Sequence, residues 1–347
     1  MPEDRPGTPS CPTRRDVLTL GARFGAGVGA AALLSTSLAA CGIRFEDGPP
    51  RAAAGPSRRP VRGESFLLTL RHHSTDLAAL ATSLGGPAKG LPARLAHLHR
   101  RQADVLRAEL LHLGVPASVV DGAGTPSGTT MTSPGTPPTT ATSPAAPSPT
   151  TTSGATGPQS LAAAEAADLG PTAVAALAGV PAEVLPLAGA VLAQRAAAAA
   201  LLGTPAPWPE PTWSEPSLAA SYLQGTRAAV YAFQVVAAQS PTGAQRTLAR
   251  TTLAVLEARQ GRQEALAGAA AAPPPLAYPL PYPVATPAAA RRLAAHVLTE
   301  LLGAGARDLG STGGEVGPLG SVVQWLADTE VLASRWGVAL APFPGLT

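Results

Sequence analysis

Cysteine is nearly missing, with two residues in 347, too few for the multi-bridge scaffold of a small secreted domain. Aromatics are scarce at 4%, and charged residues stand at 14% where about 25% is usual. A net charge of +3 over the whole chain offers little to a phosphate backbone, which excludes a nucleic-acid binder. There is no Gly-X-Y period, so the chain is not collagen-like. No G-x-S-x-G elbow, phosphate loop or dinucleotide fingerprint occurs, so the common catalytic motifs are absent. What is abundant is Gly (36) and Pro (38), a sum well above the usual share of about 12%.

The first 41 residues carry an ordered set of signals. Arg14 and Arg15 stand in Thr13-Arg14-Arg15-Asp16-Val17-Leu18, and an uncharged Gly/Ala-rich run follows from Phe24 to Ala40. That run is barely long enough to span a bilayer. It ends in Leu38-Ala39-Ala40-Cys41. The order resembles a twin-arginine export signal joined to the lipobox of bacterial lipoprotein precursors. The resemblance implies that residues 1–40 are a signal peptide and that Cys41 is lipidated and becomes the new N-terminus. Two acyl chains on one cysteine anchor stably where one is marginal. The expected place is the outer face of the cytoplasmic membrane, with the membrane as partner through a diacylglyceryl cysteine. Cys11 lies upstream of the cut, so no disulfide is expected.

Composition divides the rest. Residues 41–62, with Arg51, Arg58, Arg59 and Arg62, read as a flexible basic tether. Residues 63–203 read as a helical region. Phe66, Leu70, His73, Leu77, Leu80 and Leu84 repeat at three and four and predict a helix over 63–84. Leu95, Leu98, Gln102, Val105, Leu106, Glu109 and Leu113 predict a second over 92–113. Two more are expected over 159–179 and 182–202, interrupted or bent at Pro171 and Pro186. Between the second and third lies an insertion assigned to 116–158. Its core, 122–158, is almost wholly Gly, Ser, Thr, Pro and Ala, a composition that cannot offset the entropy of ordering. Disorder is expected there, with O-glycosylation conceivable from the Thr/Pro content. A Pro-rich linker covers 204–216.

Ten of the aromatics lie beyond residue 207, including every Trp and every Tyr. Large rings dominate core energetics, so the C-terminal part should be the best packed. Helices are predicted over 217–239, 242–269, 287–304 and 318–338. A stiff Pro/Tyr crossover, Ala270 to Ala285, joins the second to the third. The expected class is all-α, with a four-helix bundle whose single long crossover gives the ferritin-like topology.

The stretch Tyr222-Leu-Gln-Gly-Thr-Arg-Ala-Ala-Val-Tyr-Ala-Phe-Gln, the crossover Pro-Leu-Ala-Tyr-Pro-Leu-Pro-Tyr-Pro-Val and the ending Trp325-Leu-Ala-Asp-Thr-Glu-Val-Leu-Ala-Ser-Arg-Trp336 carry a second resemblance. They resemble a ferritin-like domain of unknown function found in twin-arginine-exported lipoproteins of high-GC bacteria. The resemblance spans roughly 215–347. It implies the fold and brings no activity.

Two sets of residues are candidates for chemistry. Helical wheels turn Arg259, His296, Glu300 and, at the edge, Glu330 inward in the bundle. One cation with two carboxylates suits a buried ion pair, Arg259 with Glu300, better than a metal pair. In the N-terminal region Glu109 and His112 are one turn apart, His73 lies on an apolar stripe, and Glu165 lies near Leu161. Together these four are the candidate ligands of a divalent transition metal. His97 and His99 do not share a face and are expected to be solvated.

Taken together, the sequence predicts a membrane-anchored module that binds a protein, an envelope component or a small molecule without catalysing a reaction and without a cofactor. The crossover and the helix from Trp325 to Trp336 are its candidate contact surfaces. The alternative is a metal-binding ferritin-like protein with a redox or storage role.

Overall fold

The computed structural model describes residues 58–87, 90–122, 157–208, 210 and 212–346. Arg14, Arg15, Cys41, most of the tether and most of the insertion lie outside the described residues. Every regular element among the described residues is helical: α1 (Glu64–Ser83), α2 (Leu91–His112), α3 (Ala117–Gly122), α4 (Pro158–Ala166), α5 (Pro171–Ala178), α6 (Leu185–Leu201), α7 (Pro216–Gln239), α8 (Ala244–Ala267), α9 (Pro287–Asp308) and α10 (Val316–Arg335). Short 3-10 turns follow α8 and α9.

Proline does much of the punctuation. Pro158, Pro171, Pro216 and Pro287 each occupy the first position of a helix. There the missing N–H has no intrahelical partner to lose, and the fixed φ suits the first turn. Pro171 therefore starts a helix rather than bending one. The single helix expected over 159–179 is two, α4 and α5, parted where Asp168 takes a left-handed φ of 57°. Pro186 likewise lies in the first turn of α6. The insertion assigned from residue 116 begins later than expected, because 117–122 form α3 and Val120 is fully buried.

The helix α6 is buried on every side through Ala188–Ala199, which marks it as a central element. Its alanines permit close approach. It packs against α4 and α10. Around it one hydrophobic core unites Leu67, Leu106 and Leu177 of the N-terminal helices with Phe233, Leu293 and Trp325 of the C-terminal ones. The four long helices α7 to α10 pack as neighbours, α7 on α8 and α9, and α10 on α9. Trp213, Tyr222 and Trp325 meet with ring centroids 5.5 to 5.8 Å apart, and the Trp213 indole N–H donates to Ser321 Oγ at 2.9 Å.

Both chain ends of the described fold are fixed. Glu64 accepts from Val61 N at 2.9 Å and from the Arg58 guanidinium, so the chain joins the fold from Arg58, inside the expected tether. The tail after α10 buries Phe343. Gly345 has φ 78°, and a Cβ there would stand 2.1 Å from Leu302 O of α9. Only glycine permits that approach.

Among the described residues no single helix is long and apolar enough to cross a membrane. The bent pair α4–α5 has the composition for it, but its Leu161, Val174 and Leu177 are buried in the protein's own core.

Candidate functional site

Apart from Glu64, paired with Arg58, and Arg227, paired with Glu264, the buried ionisable groups among the described residues gather in two centres, and neither is the full set expected from the sequence.

The first lies where α2, α4, α6 and the C-terminal tail meet. His99, Gln102, Glu165 and Gln194 are all essentially inaccessible. The carbonyl of Pro342 can only accept, so the amide nitrogen of Gln102, 2.7 Å away, donates to it. The same nitrogen donates to Gln194 Oε1 at 3.0 Å. Gln102 Oε1 must then accept, and His99 Nδ1–H donates to it at 2.9 Å. His99 Nε2 meets Glu165 Oε1 at 2.6 Å. Imidazolium with carboxylate, or imidazole with carboxylic acid, leaves the pair without net charge. Beside it Arg195, 2% exposed, donates through Nη2 to Ala167 O at 2.7 Å and more weakly to Ala164 O and Glu165 O. A cation is thus placed at the C-terminal carbonyls of α4, the favourable end of the helix dipole. Burial lowers the Arg195 guanidinium, and Glu165 and Asp168 partly offset that.

The expected metal ligands do not assemble. Glu165 belongs to the His99 pair. His73 is half-buried and reaches the exposed Asp168 at 3.8 Å; burial, followed by the Arg195 charge, lowers its imidazole. Glu109 is half-buried, and His112 is exposed at the end of α2. Among the described residues no three His, Cys, Asp or Glu side chains come close enough to hold one ion. His99 also corrects its expectation: it is buried, not solvated. The stripe Leu95, Leu98, His99, Gln102, Leu106 runs down one face at three- and four-residue steps, and that spacing alone places His99 inward.

The second centre lies between α7, α8, α9 and α10. Arg259 is buried, as is Gln263 one turn on. Arg259 Nη1 donates to Thr329 Oγ1 at 2.8 Å, and Nη2 donates to Trp325 O at 3.1 Å. Nε has no acceptor. The expected pair with Glu300 does not form, because Glu300 and His296 are both exposed. The inward stripe of α9 is Ala290, Leu293, Ala294, Leu298, Leu302 and Ala306. Weighing only the large residues rotates the inferred face, since here alanines occupy much of it. Glu330 is buried as expected, but it accepts from Ala341 N of the tail at 2.9 Å and not from Arg259. Burial pushes its carboxyl up to about 7, and it pulls the Arg259 guanidinium down to about 10.

Carboxylate-bridged metal sites in helical bundles need inward Glu from two helices and Glu-x-x-His from the other two. The inward polar side chains here, Thr226, Arg259, Gln263 and Thr329, with Glu330 as the one buried carboxylate among the described residues of these helices, do not fit such a metal pair.

A surface groove of about 300 Å³ runs between α7, α9 and the crossover. Ala228, Ala229 and Ala232 line it beneath Pro279, Leu280 and Pro281, with His296, Glu300 and Arg307 also along it. Tyr278 packs near Tyr231 at 5.9 Å between centroids, and Arg292 lies 5.7 Å over the Tyr282 ring. These contacts hold the crossover in place, while Leu276 at its tip is fully exposed. Trp325 and Trp336, by contrast, are 5% and 6% exposed. They serve the core and offer no contact surface.

The site is therefore one of an all-helical protein with a buried His99–Glu165 pair, two buried cations, Arg195 and Arg259, held by neutral acceptors, and an apolar groove. Residues 219–347 match the family described as Domain of unknown function (DUF4439). No curated protein and no solved structure matches the chain.

Proposed function

We propose that the chain is an extracytoplasmic lipoprotein, anchored by a diacylglyceryl Cys41 at the outer face of the cytoplasmic membrane, whose ferritin-like C-terminal bundle binds a small amphipathic molecule without catalysis. The observation that carries the binding reading is the groove under the crossover. Its volume of about 300 Å³ falls at the lower bound of small-ligand sites, and its make-up, apolar walls with a few charged side chains, is the usual one. His296, Glu300 and Arg307 would orient a polar end while the alanines and prolines take an apolar body. Support for the anchoring comes from the order of Arg14-Arg15, apolar run and Cys41.

Native mass spectrometry of full-length protein, released from membranes in mild detergent, tests both halves. A diacylglyceryl mass on wild type that is absent from Cys41→Ser supports the anchor; an unmodified wild-type protein overturns it. A bound small molecule that Ala228→Trp excludes supports the groove. A wild-type protein that carries nothing, or a ligand retained unchanged by Ala228→Trp, overturns it.

A further inference from the structure

Burying a charge without a counter-charge is among the costlier things a fold can do. Desolvation opposes it by several kcal/mol, at about that scale even after relaxation. Arg259 is in that position. Its two acceptors, Thr329 Oγ1 and Trp325 O, are neutral. Among the described residues no carboxylate lies within ion-pair distance of it; Asp328 acts on it only at longer range.

Beside this guanidinium the four C-terminal helices line a partly open cavity of about 60 Å³. A water needs about 10–15 Å³ of such space, so the cavity has room for a halide or for the head of a carboxylate. Arg259, Gln263, Thr226 and Thr329 are among its walls, and the exposed Ser221 and Gly225 stand at its border. Gln263 Oε1 is buried and has no donor. Turned about its last bond, that amide would offer N–H groups to the same space.

We propose that this cavity binds a small monovalent anion, halide or carboxylate, as the counter-ion of Arg259. The site is separate from the crossover groove and does not depend on the reading given for it. Charge count sets its selectivity. One guanidinium balances one negative charge, so a divalent anion of sulfate type leaves a charge uncompensated, and Asp308, which also lines the cavity, opposes the more highly charged guest more strongly. A metal cation is disfavoured for the same reason that an anion is favoured.

Chlorine-35 NMR line widths of full-length protein in detergent micelles, titrated with chloride at constant ionic strength, provide the test. The expected result is a saturable broadening that formate and nitrate abolish and sulfate does not. The order of formate against chloride decides between the carboxylate and halide sources. Arg259→Met should remove the broadening, and Gln263→Leu should weaken chloride binding by about tenfold, the scale of one lost charge-assisted hydrogen bond. No saturable broadening in wild type, equal broadening in Arg259→Met, or displacement by sulfate as effective as by formate would overturn the proposal. If Arg259→Met fails to fold, wild-type displacement and Gln263→Leu carry the test.

Discussion

The His99–Glu165 pair and Arg259 follow opposite rules, and Arg195 beside the pair is, like Arg259, a buried cation held by neutral acceptors. At the α2–α4–α6 junction, His99 and Glu165 neutralise each other, and Gln102 passes the hydrogen-bond chain on to Gln194 and Pro342. In the C-terminal helices, Arg259 is held by neutral acceptors and keeps its charge. The difference teaches where each centre contributes. A neutralised network fixes the mutual placement of elements and loses stability if either partner goes. A retained charge is a standing cost, which makes sense where something else supplies the counter-charge.

The sharpest way to break this comparison is to remove one partner of the neutral pair. Glu165→Leu leaves His99 buried with no partner at Nε2, and His99→Ala leaves the Glu165 carboxylate buried. Each should lower unfolding stability by about 3–5 kcal/mol, the usual result of orphaning a buried charge. Urea denaturation reads it directly. A loss under 1 kcal/mol in both variants would mean that the pair does not hold the junction.

Next in size is a pH effect at the tail that links the two regions. Ala341 N donates to Glu330 of α10, and the neighbouring Pro342 O accepts from Gln102 of α2. Burial raises the Glu330 carboxyl to about 7, against about 4.3 in an unfolded chain. Between these values the folded state holds more protons than the unfolded one. Stability is therefore fully present below about pH 4.3 and falls as pH rises to about 7, by about 4 kcal/mol in all. Glu330→Gln keeps an acceptor for Ala341 N and removes the titration. It should raise the melting temperature at pH 8 and leave it unchanged at pH 4. An unchanged wild-type slope in the variant would assign the pH dependence elsewhere.

Much of this fold is legible in the sequence, and the failures have physical causes. Leu95, Leu98 and Leu106 on one stripe, or Thr286-Pro287 at a helix start, identify their elements because periodicity and capping are local. Thr286 Oγ1 does accept from Ala289 N at 3.1 Å. The Arg259 centre is half legible: Arg259 and Gln263 share the inward face of α8 as the wheel requires. Its partner is not legible, because a wheel orients one helix and says nothing of which residue faces it across the core. Glu300 was the nearest carboxylate by type, yet the alanine stripe of α9 turns it to solvent. The His99–Glu165 pair joins residues 66 apart in the sequence, and no local pattern carries that. What the sequence does offer is the position of His99 and Gln102 among leucines on one stripe, a signal that outweighs the polarity of their side chains.

Replacing the unpaired cation gives the converse of the first prediction. Arg259→Met exchanges a buried charge for an apolar side chain of similar length, a change that in other proteins is neutral or stabilising by about 1–4 kcal/mol. In buffer without small monovalent anions, its unfolding free energy should equal or exceed that of wild type. A loss of 3 kcal/mol or more would place Arg259 in the same class as His99 and Glu165, and the contrast between the centres would fall.

The smallest effect isolates the neutral acceptor. Thr329→Val deletes the hydroxyl that accepts from Arg259 Nη1 at 2.8 Å and itself donates to Trp325 O at 2.6 Å. One net hydrogen bond is worth about 1 kcal/mol, so the single variant should lose about that much. The same substitution in the Arg259→Met background should cost less, because no guanidinium is left without its acceptor. The difference between the two costs is the coupling energy of the pair. A positive coupling shows that Thr329 holds the cation in place. Zero coupling would mean that Arg259 is fixed by packing and the Trp325 carbonyl alone, and its charge would then depend still more on what occupies the cavity beside it.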